Sequence, residues 1–129
     1  MSAAAHKIPG PDHPITIQPT LDRVIVRFAG EVIADSTRAL TLREAKYAPV
    51  QYIPRSDVRM ERLARTAHRT HCPYKGDASY FSVQAGGRTG ENAVWSYEHP
   101  FGAVAEIAGH VAFYPDRVDS IEIVEASPT

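Results

Sequence analysis

Apolar and polar residues alternate with period two in short runs along this chain, and glycine or proline closes most of the runs. That pattern favours many brief strands over long helices. The clearest run is DRVIVRFAGEVIADS, residues 22–36. Val24, Val26 and Phe28 share one face, Ala29 and Gly30 make a tight turn, and Glu31 to Ser36 returns. A second hairpin reads ASYFSVQAGGRTGENAVWSY, residues 78–97, around Gly86–Gly87. On its first arm Phe81, Val83 and Ala85 face one way and Tyr80, Ser82 and Gln84 the other. Shorter strands are expected at 15–18, 39–45, 50–54, 111–114 and 120–125. SDVRMERLARTA, residues 56–67, predicts one to two helical turns. Ser56 or Asp57 would cap it, and Val58, Met60 and Leu63 would form its apolar side. Residues 99–110 read as a loop with a helical turn. The expected class is mostly β: an antiparallel two-sheet sandwich or barrel-like fold with one short helix.

A length of 129 residues suits one domain with one real core. Residues 1–14, rich in Ala, Pro and Gly, are expected to form a loose, flexible arm. Residues 15–125 would be the β domain and 126–129 a tail. The net charge of −1 gives no global field for nucleic acid or an anionic membrane, so neither is expected as a partner. No apolar run approaches the roughly 20 residues of a membrane helix, and the first residues lack a secretory apolar segment. A single cysteine allows no internal disulfide and fits a reducing cytoplasm.

Chemistry-bearing residues concentrate in HRTHCPYKGDASYFSV, residues 68–83. Pro73 and Gly76 force a corner with Cys72 and Lys75 at its two ends. Lys75 could reach over a cavity mouth as an ammonium for an anionic group; no phosphate-cradling G-x-x-x-x-G-K-[ST] accompanies it. Cys72 is a candidate nucleophile, but neighbours on a strand point oppositely, so His71 is badly placed to activate it. His68 shares its parity yet lies beyond hydrogen-bond reach. A buried, inert thiol is the favoured reading. His68, His71, Cys72 and His99 lack the paired spacing of a structural zinc site, so neither metal nor cofactor is expected.

Arg23 and Arg27 flank Ile25 on the face opposite Val24 and Val26. Two arginines on an apolar strand suggest a polar cavity, with at least one paired to a carboxylate such as Glu44 or Glu91 and Lys75 left free. Five arginines between Arg55 and Arg69 stand against Asp57 and Glu61. They read as a solvated helix face or as an anion-facing patch. Every aromatic residue except Phe28 lies after the first hairpin. Three functional classes follow. The leading one is a small-molecule-binding domain for an anionic metabolite with a flat or apolar part, its concave face lined by Arg23, Arg27, Tyr52, Lys75, Trp95 and Tyr97. The second is an enzyme using Lys75 or Cys72 as nucleophile or acid/base. The third is a structural or interaction module.

ADS after the first hairpin, YIPRSDVRMERL, HRTHCPYKGDASYFSV, ENAVWSY and GHVAFYPDRVD together resemble domain of unknown function family 427, from His13 to Val124. The resemblance implies a small, cytosolic, mostly β domain, mainly bacterial and fungal, with a β-tent or Mss4-like arrangement of two antiparallel sheets. Relatives of that architecture often hold zinc between paired cysteines, which a chain with Cys72 alone cannot supply. The family also carries a nucleotidyltransferase-like label. Such enzymes cluster carboxylates around Mg²⁺, whereas Asp77, Glu91 and Asp116 are scattered here.

Overall fold

The computed structural model describes residues 5–125. Ten strands are found there: β1 (Ile15–Pro19), β2 (Arg23–Phe28), β3 (Glu31–Ser36), β4 (Leu40–Glu44), β5 (Val50–Pro54), β6 (Leu63–Cys72), β7 (Gly76–Ala85), β8 (Arg88–Ser96), β9 (His110–Phe113) and β10 (Ser120–Val124). All pairings are antiparallel. Seven strands form one sheet in the order β1-β4-β5-β9-β8-β7-β6, and β10-β2-β3 form a second. Neither sheet closes on itself, so the mostly β, two-sheet expectation holds in its open form. Among the described residues, no helix is long and apolar enough to cross a membrane.

The expected helix at 56–67 is not one. Residues 55–57 and 60–62 form two separate 3-10 turns, and β6 begins at Leu63. Cross-strand pairing overrides the weak helical pattern, because Leu63 lies opposite Val83 and Arg65 opposite Phe81. The Arg65 guanidinium then sits 4.9 Å from the Phe81 ring centroid. The arginine run is therefore part turn and part edge strand. The helical turn within 99–110 is present as a 3-10 segment at 102–107.

The large sheet has two wings that meet at β9. One is β1-β4-β5, joined to β9 only through Ile53↔Val111 and Pro54↔His110; the other is β8-β7-β6. The β7–β8 hairpin turns on Gly86 and Gly87, both at positive φ, as a two-residue turn with the twist of its strands requires. Alternation along β7 sends Phe81, Val83 and Ala85 into an aliphatic cluster with Val24, Val26, Phe28 and Ile33 of the small sheet. Ala78 and Tyr80 project into a second cluster with Leu42, Tyr52, Tyr97, Val104 and Ile107. One strand thus serves two cores of different character. Of the arm expected at residues 1–14, residues 5–14 are described and touch the domain: the Lys7 amide donates to the Pro73 carbonyl at 2.7 Å, and His6 stacks on Phe101 at 3.8 Å; residues 1–4 and the expected tail at 126–129 lie outside the described residues.

Candidate functional site

The second cluster does not fill its space. A cavity of about 160 Å³ remains between the wings, walled by Tyr52, Tyr80, Trp95, Tyr97 and Tyr114 and floored by Glu44 and Lys75. Tyr52, Tyr80 and Trp95 arrive by strand parity, and Tyr97 and Tyr114 lie one residue beyond the ends of β8 and β9. Leu42 and Glu44 share a face of β4, and Trp95 stands on the face of β8 that Tyr97 continues.

Lys75 enters from the Cys-Pro-Tyr-Lys-Gly corner. The Lys75 amide donates to the Cys72 carbonyl at 3.3 Å, closing the turn. Gly76 follows at φ +109°, a conformation side chains rarely adopt, which lets the chain leave the corner into β7. The Lys75 side chain turns inward, and the residue is only 8% exposed. Its ammonium pairs with Glu44 Oε1 and lies 5.8 Å from the Tyr97 ring centroid. The other oxygen of Glu44 bonds His13 Nε2 at 2.7 Å, and His13 stacks flat on Tyr74 of the same corner at 3.9 Å. Burial alone would push the Glu44 carboxyl up. The hydrogen bonds from Lys75 and His13 outweigh it and hold Glu44 below the usual carboxylate range.

The aromatic wall is itself hydrogen-bonded. Trp95 Nε1 donates to Tyr52 Oη at 3.2 Å, and the hydroxyls of Thr70, Tyr80 and Tyr114 form a chain at 2.9 and 3.4 Å. Burial raises the phenols of Tyr52 and Tyr97 far above their ordinary range, and burial with the Tyr80 hydrogen bond pushes Tyr114 up to about 12. These hydroxyls stay protonated at neutral pH, able to donate and accept hydrogen bonds but not to act as bases.

Of the six residues expected to line one concave face, the structure brings four together: Tyr52, Lys75, Trp95 and Tyr97. Arg23 and Arg27 are elsewhere, which corrects the expected cavity on β2. Arg23 pairs with Asp35 at 2.5 Å and Arg27 with Glu122 at 2.6 Å, all exposed on the small sheet. Each carboxylate sits diagonally across from its arginine on a neighbouring strand, a surface arrangement. Nor is Lys75 free, since Glu44 holds it. Cys72 is half-buried at the edge of the tyrosine cluster. Neither histidine turns to it: His68 meets Tyr80 edge-on, and His71 bonds Asp77 and the Ala5 carbonyl. Glu44 as the lysine's partner and His13 as its outer support were the missed residues. For Glu44 the signal was its shared parity with Leu42; for His13 there was none.

A larger groove of about 550 Å³ runs past His6, Arg69, His71 and Glu98. Its carboxylates are already occupied. Arg65 and Arg55 bind Glu98 at 2.7 and 3.0 Å, and the bond from Arg65 above all lowers the Glu98 carboxyl to about 2. Asp77 is held by His71. The groove's acidic groups are thus neutralised, and Arg69 reaches only the Ser79 hydroxyl, at 3.5 Å. Among the described residues no three His, Cys, Asp or Glu side chains are grouped to hold a metal ion.

No curated protein matches the chain. A family model described as Domain of unknown function (DUF427) matches residues 16–124, which include every wall and floor residue of the cavity. The chain belongs to the DUF427 family.

Proposed function

We propose that the cavity binds a small, flat molecule carrying an uncharged group that both donates and accepts hydrogen bonds, such as a primary amide. One observation carries this reading: a buried, charge-compensated Lys75–Glu44 pair forms the floor of an unfilled aromatic cavity. An ammonium has three donors, and Glu44 takes one of them. A ligand carbonyl can accept another, while a ligand N–H finds Glu44 or a tyrosine oxygen. The anionic metabolite expected for an unpaired Lys75 is disfavoured, because a second carboxylate would meet Glu44 and its charge. The volume of about 160 Å³ and the ring faces favour a planar body.

Benzamide, benzoate and benzylamine share one ring and differ in charge. Trp95 is the only tryptophan, so titration of its fluorescence reads occupancy directly. Benzamide is expected to quench it saturably and to raise the melting temperature, with both effects lost in the double variant Lys75→Met/Glu44→Leu. Preference for benzoate would restore the anionic reading, and no response to any of the three would remove the binding reading.

A second reading, an enzyme, is favoured by one feature. The Lys75–Glu44–His13 chain links a buried ammonium to a partly exposed imidazole, a route along which a proton could move.

A further inference from the structure

An apolar cleft of about 410 Å³ lies beside the aromatic cavity, between β5 and the Ile121–Ile123 stretch of β10. The two spaces share one wall. Trp95, Ala48 and Val50 border both. Ala48 is exposed, in the loop between β4 and β5, so the two spaces adjoin at Trp95 and at a surface loop rather than across the buried core. The cleft offers no polar anchor of its own. Its two polar side chains are already bonded elsewhere: Gln51 accepts from Thr20 at 2.6 Å and donates to Thr41 at 3.1 Å, and Trp95 Nε1 donates to Tyr52. A polar occupant would lose its hydration for nothing in return, whereas a hydrocarbon gains. Ile123, on the cleft wall, is 54% exposed, a large aliphatic side chain left half in water.

We propose that the natural ligand is amphipathic: a flat polar head in the aromatic cavity continues into a hydrocarbon chain that lies in this cleft, with Trp95 as the partition between the two. The proposal rests on the binding reading above and adds the second half of the ligand. The floor of Glu44 and Lys75 sets the head group, and the distance from that floor past Trp95 sets where the chain begins. Each methylene laid in the cleft removes its apolar surface from water, so affinity rises with chain length until the cleft is full.

The test is a homologous series, benzamide and its 4-n-alkyl derivatives from methyl to hexyl, titrated against Trp95 fluorescence. In the wild-type protein the dissociation constant is expected to fall about three- to fourfold per methylene over part of the series. Ile123→Asp changes a residue that lines only the cleft and is already half exposed. It is expected to bind benzamide as the wild type does while losing the dependence on chain length. Lys75→Met/Glu44→Leu is expected to weaken every member of the series. If benzamide binds but the alkyl derivatives bind no tighter, the cleft is not part of the site and the inference fails while the binding reading stands. If the chain-length dependence survives Ile123→Asp, the chain lies elsewhere and the inference fails. If benzamide does not bind at all, the binding reading fails; an alkyl series that then binds regardless of Lys75 and Glu44 makes the cleft a separate apolar site and overturns the joined one.

Discussion

The two clusters meet along β7, yet they are built on opposite plans. The aliphatic one, under the small sheet, is made of Val, Ile, Phe and Ala and buries no ion pair; Val24, Val26, Ile33, Val83, Val94 and Val111 are fully buried, and the cleft at its edge meets only apolar members of the cluster, Val26, Ile53 and Phe113. The tyrosine-rich one carries hydroxyls, an indole and a buried ion pair, and it leaves space. An apolar cluster contributes stability in proportion to the surface it hides. A cluster that keeps polar groups around a void gives up part of that stability, which is the pattern of a region shaped for something besides folding. The difference teaches where to look for function. It is where polar groups are buried beside unfilled space.

The comparison breaks most visibly in the aliphatic half. Phe28→Ala removes a ring that is 2% exposed between the two sheets and is expected to cost about 3–5 kcal/mol in urea denaturation. Benzamide affinity of the remaining folded protein should change little. A loss of affinity as large as the loss of stability would mean that the two regions are not separable.

The tyrosine half is probed at its floor. Glu44→Gln leaves the Lys75 ammonium buried without a counter-charge, at a cost of about 3 kcal/mol, the low end of the range because the pair faces a cavity. Lys75→Met/Glu44→Leu removes both charges together and is expected to be nearly neutral for stability. Denaturation midpoints of the two variants check this, and equal losses would assign the effect to packing. The pH dependence has a definite sign. Glu44 is held below its unfolded-state value, so its contribution is present above the ordinary carboxylate range and fades as pH falls through the lowered value. Glu44→Gln should flatten that part of the stability curve.

The smallest effect is expected on the outer face of β2. Arg23→Ala breaks an exposed pair with Asp35 and should leave both the denaturation midpoint and benzamide binding unchanged. A clear loss of binding would return this strand to the site.

The same regions also mark how far the sequence was legible. The strands could be read because each carries its own period. Val24, Val26 and Phe28 announce β2, and Gly86–Gly87 announces the β7–β8 hairpin, without knowledge of any neighbour. What failed depended on partners far along the chain. Arg27 finds its carboxylate at Glu122, 95 residues away, so no local pattern could tell a surface ion pair from a lined cavity. Lys75 meets Glu44 across 31 residues, a partner that no pattern near the corner could indicate. Leu63 to Cys72 joined a sheet because β7 lay beside it, whatever the helical leaning of residues 56–67.

One strand's position has a consequence for the protein in a crowded solution. β6 is the outermost strand of the seven-stranded sheet, ten residues long and paired on one side only. A smooth edge of that length is a template on which another chain can add a strand and start an aggregate. Here the register breaks between Arg65 and Arg69, and arginine and histidine side chains crowd the same stretch. A broken register lined with long, mostly ion-paired side chains offers an incoming strand no even ladder. Arg65 and Arg69, which looked from sequence like part of a helix face or an anion patch, stand where that edge ladder is interrupted.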